Sequence, residues 1–296
     1  MVLANPSWVE KIAFGIDHVE SVFVEDDGTL FAGGEKGQIY RVAPGEPPAQ
    51  IACTHGELLG IVLDGGGRIY VCDSANRAVF RISPAHDLQH EDRQHIAGAA
   101  QNAPVECLST GAPGRPFTFP NHPAFDALGN LYVSDSGDYW DPSGSGCIQV
   151  IRRSGETEVF HHGPFRFANG IAIDPSGKWL YIAQSAAWNI VRIPLDRPNG
   201  QVELAFQLPE YTIPDGMLFS SDGSLIVACY RPDSVLRCKP DGGVETLIAD
   251  PTGELLLAPT NVFLHAGYLY VANLAGRFVS RMKTELRLGS VHRPVI

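Results

Sequence analysis

Two carboxylates and three carboxamides stand at matching places in this chain of 296 residues: Glu20, Asn121, Asn169, Asp215 and Asn261, each at the start of a short apolar run. Oxygen donors of this kind, with no His or Cys at the same places, suit a hard divalent cation. Ca²⁺ fits first, Mg²⁺ or Mn²⁺ less well, and zinc is disfavoured. Glu20 and Asp215 balance the two charges of such an ion. Four or five side chains leave places open in a shell of roughly six to eight oxygens, and water or a substrate can take them. The five residues are far apart in sequence, so this chemistry requires a fold that repeats.

The repeat is readable. In Phe165–Gln184 a polar anchor, Asn169, leads a short apolar run, Ile171–Ile173. An Asp174-Pro175-Ser176-Gly177 turn follows, then a second apolar run, Trp179–Ala183. Pro presets its own φ and Gly accepts a positive one, so this is a β-hairpin, and Ile190–Ile193 adds a third strand. Aligned on the anchor, copies fall at Glu20, Gly60, Asn121, Asn169, Asp215 and Asn261, spaced by 40, 61, 48, 46 and 46 residues. Several strands per period of this length predict an all-β, six-bladed propeller, one domain over residues 1–296, with the anchors ringing a central tunnel as a metal site. Trp8–Ala13 has no hairpin partner and is expected to complete the last blade, closing the ring. Residues 83–116 are expected to be an insertion, a loop or lid at one face.

Composition narrows the partners. A formal charge of −11 repels nucleic acid and anionic membrane surfaces, leaving a small molecule as the expected ligand. No stretch has the apolar length of a membrane span, and the residues from Met1 to Trp8 lack a basic start and an apolar run, so a cytoplasmic protein is expected. The six cysteines show no Cys-x-x-Cys or zinc spacing and read as reduced, structural thiols. His86, His90 and His95 invite a zinc reading, but Asp87 stands where the zincin motif has Glu, and a solvated loop is the expectation. Neither a Gly-rich phosphate loop nor a Gly-x-Ser-x-Gly elbow is present.

Four motifs in this order carry a resemblance: His18-Val19-Glu20-Ser21, Phe119-Pro120-Asn121-His122, Ala168-Asn169-Gly170-Ile171-Ala172 and Pro214-Asp215-Gly216-Met217. The chain resembles the regucalcin and gluconolactonase (senescence marker protein) family of six-bladed propellers, and more distantly the diisopropyl fluorophosphatases and paraoxonases. The resemblance implies that Glu20, Asn121, Asn169 and Asp215 hold a catalytic Ca²⁺-like ion, with Asp215 doubling as general base or nucleophile; from its place in the ring, Asn261 is a candidate further ligand. Such an ion polarises a lactone carbonyl or phosphoryl oxygen while Asp215 activates water.

One departure bears on substrate. Sugar lactonases of the family carry Arg two places before the blade-three Asn and Asp-Gly just after it. This chain has Phe119 before Asn121, and His122-Pro123 after it. Without that Arg to grip hydroxyls, the expected substrate is a more apolar lactone, ester or other carbonyl compound rather than an aldonolactone. His122 is a candidate catalytic proton shuttle or oxyanion donor. Tyr139, Trp140, Phe165, Arg166 and Tyr211 are candidate substrate-binding residues. The expected function is a metal-dependent hydrolase of cyclic esters. A metal-assisted lyase or isomerase on a carbonyl compound is one alternative, and a non-catalytic propeller binding a metabolite or protein is another.

Overall fold

The structure, a computed structural model, describes residues 8–83, 103–289 and 291–296. The chain forms six four-stranded antiparallel sheets around an axis, a six-bladed propeller. The innermost strands are Val22–Val24, Leu58–Leu63, Pro120–Phe125, Ala168–Ile173, Ile213–Phe219 and Pro259–His265, here blades 1 to 6. Each inner strand packs on its neighbours so that the ring closes. These strands are buried on both faces, which explains why they read as apolar runs rather than as alternating patterns.

The inner hairpins of blades 2, 3 and 4 are set by an Asp at the start, which tightens the turn through backbone amides. Asp174 accepts the Lys178 and Trp179 amides at 2.9 and 2.8 Å. Asp64 and Asp126 do the same for their own turns. Such side-chain acceptors mimic a backbone turn, and the Gly that follows takes the positive φ, +69° at Gly177.

Val9–Ile12 pairs with Phe278–Lys283 as the outer strand of blade 6, as the sequence predicts. The expected insertion at 83–116 is only partly one. Val105–Ser109 is the fourth strand of blade 2, paired with Ala78–Ile82, and Gly111–Ala112 pairs with Arg115–Pro116 in a small hairpin. Polar Glu106 and exposed Cys107 interrupt the apolar pattern there and hide the strand. The loop expected to carry His86, His90 and His95 lies outside the described residues.

The last residues cross the underside of the ring. The Gly289 amide donates to the Phe219 carbonyl on blade 5, and the Gly65 amide on blade 2 donates to the Pro294 carbonyl. Between these two anchor points, Val291 and His292 lie across the end of the tunnel.

Candidate active site

The inner strands of blades 2 to 6 break register near their start. In blades 2 to 6 the last paired residue before the break is Leu58, Pro120, Ala168, Pro214 and Pro259, and pairing resumes two or three residues later. A bulge of this kind turns the unpaired residue out of the sheet and re-aims its side chain. The re-aimed residues are Leu59, Asn121, Asn169, Asp215 and Thr260, and together with Glu20 from blade 1 they line a single cleft at the axis.

Blades 3, 4 and 5 thus carry the expected anchors. In blades 2 and 6 the structure differs from the sequence reading by one residue. Leu59 and Thr260 face the cleft, whereas Gly60 packs on the Asn121 carbonyl and Asn261 turns into the tunnel beside Gly216. A shift of one residue sends a side chain to the other side of the strand. His122 also lies on the tunnel side, beneath the cleft holding Asn121, in a cavity of about 80 Å³ with Phe125, Phe263 and His292. Burial holds the His122 imidazole down to about 4, so it is neutral, and its Nδ1 has no partner.

Of the aromatic candidates, Tyr139 lines the cleft, and Trp140 stacks edge-on against it while remaining 84% exposed. Phe165 is fully buried in the core of blades 3 and 4 and cannot reach a ligand. Phe167, at φ +57°, takes the position in the cleft wall, and Arg166 between them is exposed. Tyr211 is exposed and packs on Trp188 rather than lining the cleft. The wall itself is Phe119, Phe167 and Tyr139, with ring centroids 5.8 and 5.1 Å apart along the row. His18 and Glu57, which sequence reasoning did not single out, also line the cleft. Glu57 lies in a connection and accepts from Ser74 Oγ at 2.6 Å, and no spacing marks it.

The electrostatics of the cleft are those of unbalanced negative charge. Glu20 is pushed up to about 8, first by burial and then by the charge of Glu57. Asp215 is held well above the usual carboxylate range by burial and then by Glu20; the Gly216 amide and the Asn169 side chain oppose the shift. No Lys or Arg lines the cleft among the described residues. Asn169 is 5% exposed, and its Oδ1 has no hydrogen-bond partner. Two carboxylates driven toward protonation and an orphaned amide oxygen are what a divalent cation of the Ca²⁺ type would satisfy, so the donor set fits one. No cluster of three or more His, Cys, Asp and Glu side chains with metal-binding geometry occurs among the described residues, so such an ion would rely on amide oxygens.

Comparison with known proteins identifies the family and the fold. The profile of the SMP-30/Gluconolactonase/LRE-like region matches residues 22–272. A gluconolactonase of Zymomonas mobilis is 26% identical over 208 residues, 67% of this chain and 55% of that protein. The chain spans about half the length of the curated relatives it matches. A solved gluconolactonase of Xanthomonas campestris superposes with a TM-score of 0.73 at 15% identity, covering 94% of this chain and 89% of the other. The calcium-binding protein regucalcin of Agrobacterium tumefaciens gives 0.69 at 13% identity, covering 97% and 94%. At these identities the likeness of the solved structures is one of fold.

Proposed function

Because the chain belongs to the SMP-30/gluconolactonase/LRE-like family, we propose that it is a divalent-cation-dependent lactonase whose substrate is a neutral, apolar cyclic ester. The observation that carries this reading is the convergence of Glu20, Asn121, Asn169 and Asp215 on one cleft whose far wall is Phe119, Phe167 and Tyr139.

Glu20, Asn121, Asn169 and Asp215 would hold the ion, with Thr260 rather than Asn261 beside them. A bound divalent cation supplies a Lewis acid for the ester carbonyl oxygen. Asp215 takes a proton from the attacking water as its oxygen adds to the carbonyl carbon. The ring C–O bond then breaks, and Asp215 returns that proton to the departing alkoxide, leaving a hydroxy acid. The aromatic wall covers the apolar part of the ring and excludes water from it. His122 lies on the tunnel side and has no direct part in these steps.

Relatives named gluconolactonases favour a sugar lactone. The wall favours an apolar one, because it offers aromatic faces and, among the described residues, no cationic donor for hydroxyls. A pH-stat assay on cation-stripped protein with Ca²⁺ added back separates the two, run on D-glucono-δ-lactone and dihydrocoumarin. Acid release is expected to depend on Ca²⁺, to favour dihydrocoumarin, and to fall by about 10²–10⁴-fold in Asp215→Asn. Faster turnover of the sugar lactone overturns the apolar assignment. Silence on both, with Ca²⁺ still bound, overturns the lactonase.

A further inference from the structure

The residues behind the two asparagines form a second, matching series. In blades 2 to 6 the partner of the last paired inner-strand residue is Asp73, Asp135, Gln184, Cys229 and Asn273. The next residue in each is Ser74, Ser136, Ser185, Tyr230 and Leu274. Both blades with an amide anchor, Asn121 and Asn169, have Ser there, whereas Asp215 and Thr260 are backed by Tyr230 and Leu274. Ser74, behind Leu59, serves Glu57 instead.

The two serines make the same bonds. Asn121 Nδ2 donates to Ser136 Oγ at 3.1 Å, and Ser136 Oγ donates to the Ala168 carbonyl at 2.7 Å. Asn169 Nδ2 donates to Ser185 Oγ at 3.1 Å, and Ser185 Oγ donates to the Pro214 carbonyl at 2.7 Å. Both serines are buried. A hydroxyl has one proton. With that proton committed to the carbonyl of the next blade, the oxygen offers only lone pairs to the asparagine, so only the NH₂ end of the amide can face it. The carbonyl end must then turn away, and Asn169 Oδ1 is the buried oxygen without a partner.

From this we infer that Ser136 and Ser185 are positioning residues that set the polarity of the two amides, so that oxygen rather than NH₂ is presented to a cation. The inference rests on the cation-site reading above. It also accounts for the pattern: a carboxylate has two equivalent oxygens and no wrong end, so Asp215 needs no serine behind it. A reversed amide would aim positive hydrogens at the ion. Groups that orient a metal ligand commonly matter by about 10–100-fold in affinity.

The test is a double-mutant cycle read by calorimetric Ca²⁺ titration rather than by activity, with thermal melts to confirm folding. Ser185→Ala is expected to weaken Ca²⁺ binding by about 10-fold or more. In an Asn169→Asp background, where the ligand has no wrong end, the same Ser185→Ala change is expected to cost less than about 3-fold. An equal cost in both backgrounds would mean the hydroxyl acts only through packing, and no cost in either would mean it does not act; both overturn the inference and leave the cation site intact. Failure of the wild type to bind Ca²⁺ overturns both. Should Ser185→Ala not fold, Ser136→Ala with Asn121→Asp runs the same cycle one blade earlier.

Discussion

At the scale of single residues, the cleft is a place where the fold keeps charge at a disadvantage. The Glu20 carboxyl holds its proton to about pH 8, whereas in the unfolded chain it releases it near the ordinary glutamate value of 4.5. A group raised in this way contributes stability below about pH 4.5 that is lost as pH climbs through 8. In the presence of a chelator, the wild type is therefore expected to lose several degrees of Tm between pH 5 and pH 8.5 relative to Glu20→Gln. Saturating Ca²⁺ should raise the wild-type Tm at pH 8.5 and leave Glu20→Gln nearly unmoved. Thermal melts of both proteins, with chelator and with Ca²⁺, check this. A wild type whose Tm does not depend on Ca²⁺ at pH 8.5 would contradict it.

At the scale of elements, the inner strands do two jobs at once, since the bulge that aims an anchor also brings neighbouring blades close. A Cβ on Gly170 would lie 2.2 Å from the Asp215 carbonyl oxygen and 2.7 Å from Gly216 Cα. Gly170→Ala is accordingly expected to destabilise the fold by about 1–3 kcal/mol and to weaken Ca²⁺ binding, because the strand carrying Asp215 must give way. Urea unfolding and calorimetry measure the two effects. The bulge is also where the sequence is hardest to read. Turns such as Asp174–Gly177 announce themselves through residue types with local jobs, and so do anchors whose neighbours are small or apolar. In blade 6, Thr260 and Asn261 are both polar, and only the pairing of Pro259 with Asn273 decides which of them faces the axis. Phe165 and Phe167 are alike in type, and the left-handed turn at Phe167 that separates core from cleft has no local signature. Glu57 comes into the cleft through tertiary structure alone.

At the scale of the whole molecule, the ring closes through Val9–Ile12 on Phe278–Lys283, with Glu10 and Arg281 paired across the seam. Removing residues 1–13 would leave the Phe278–Lys283 edge unpaired. Such an edge invites pairing with another chain. The shortened protein is expected to melt lower and to scatter light increasingly with concentration, whereas the intact one should not; melting and light scattering at two concentrations decide. The fold class and blade count were legible because a propeller writes the same hairpin six times, and a period survives local ambiguity. The residues from Gly289 to Pro294 belong to no repeat, and no period announced them. Among the described residues, Val291 and His292 line the tunnel on the side away from the cleft. On the lactonase reading, with Val291 and His292 under the tunnel, a hydroxy acid formed in the cleft would back out through the mouth its parent lactone entered, and accumulated product would compete with substrate for that threshold.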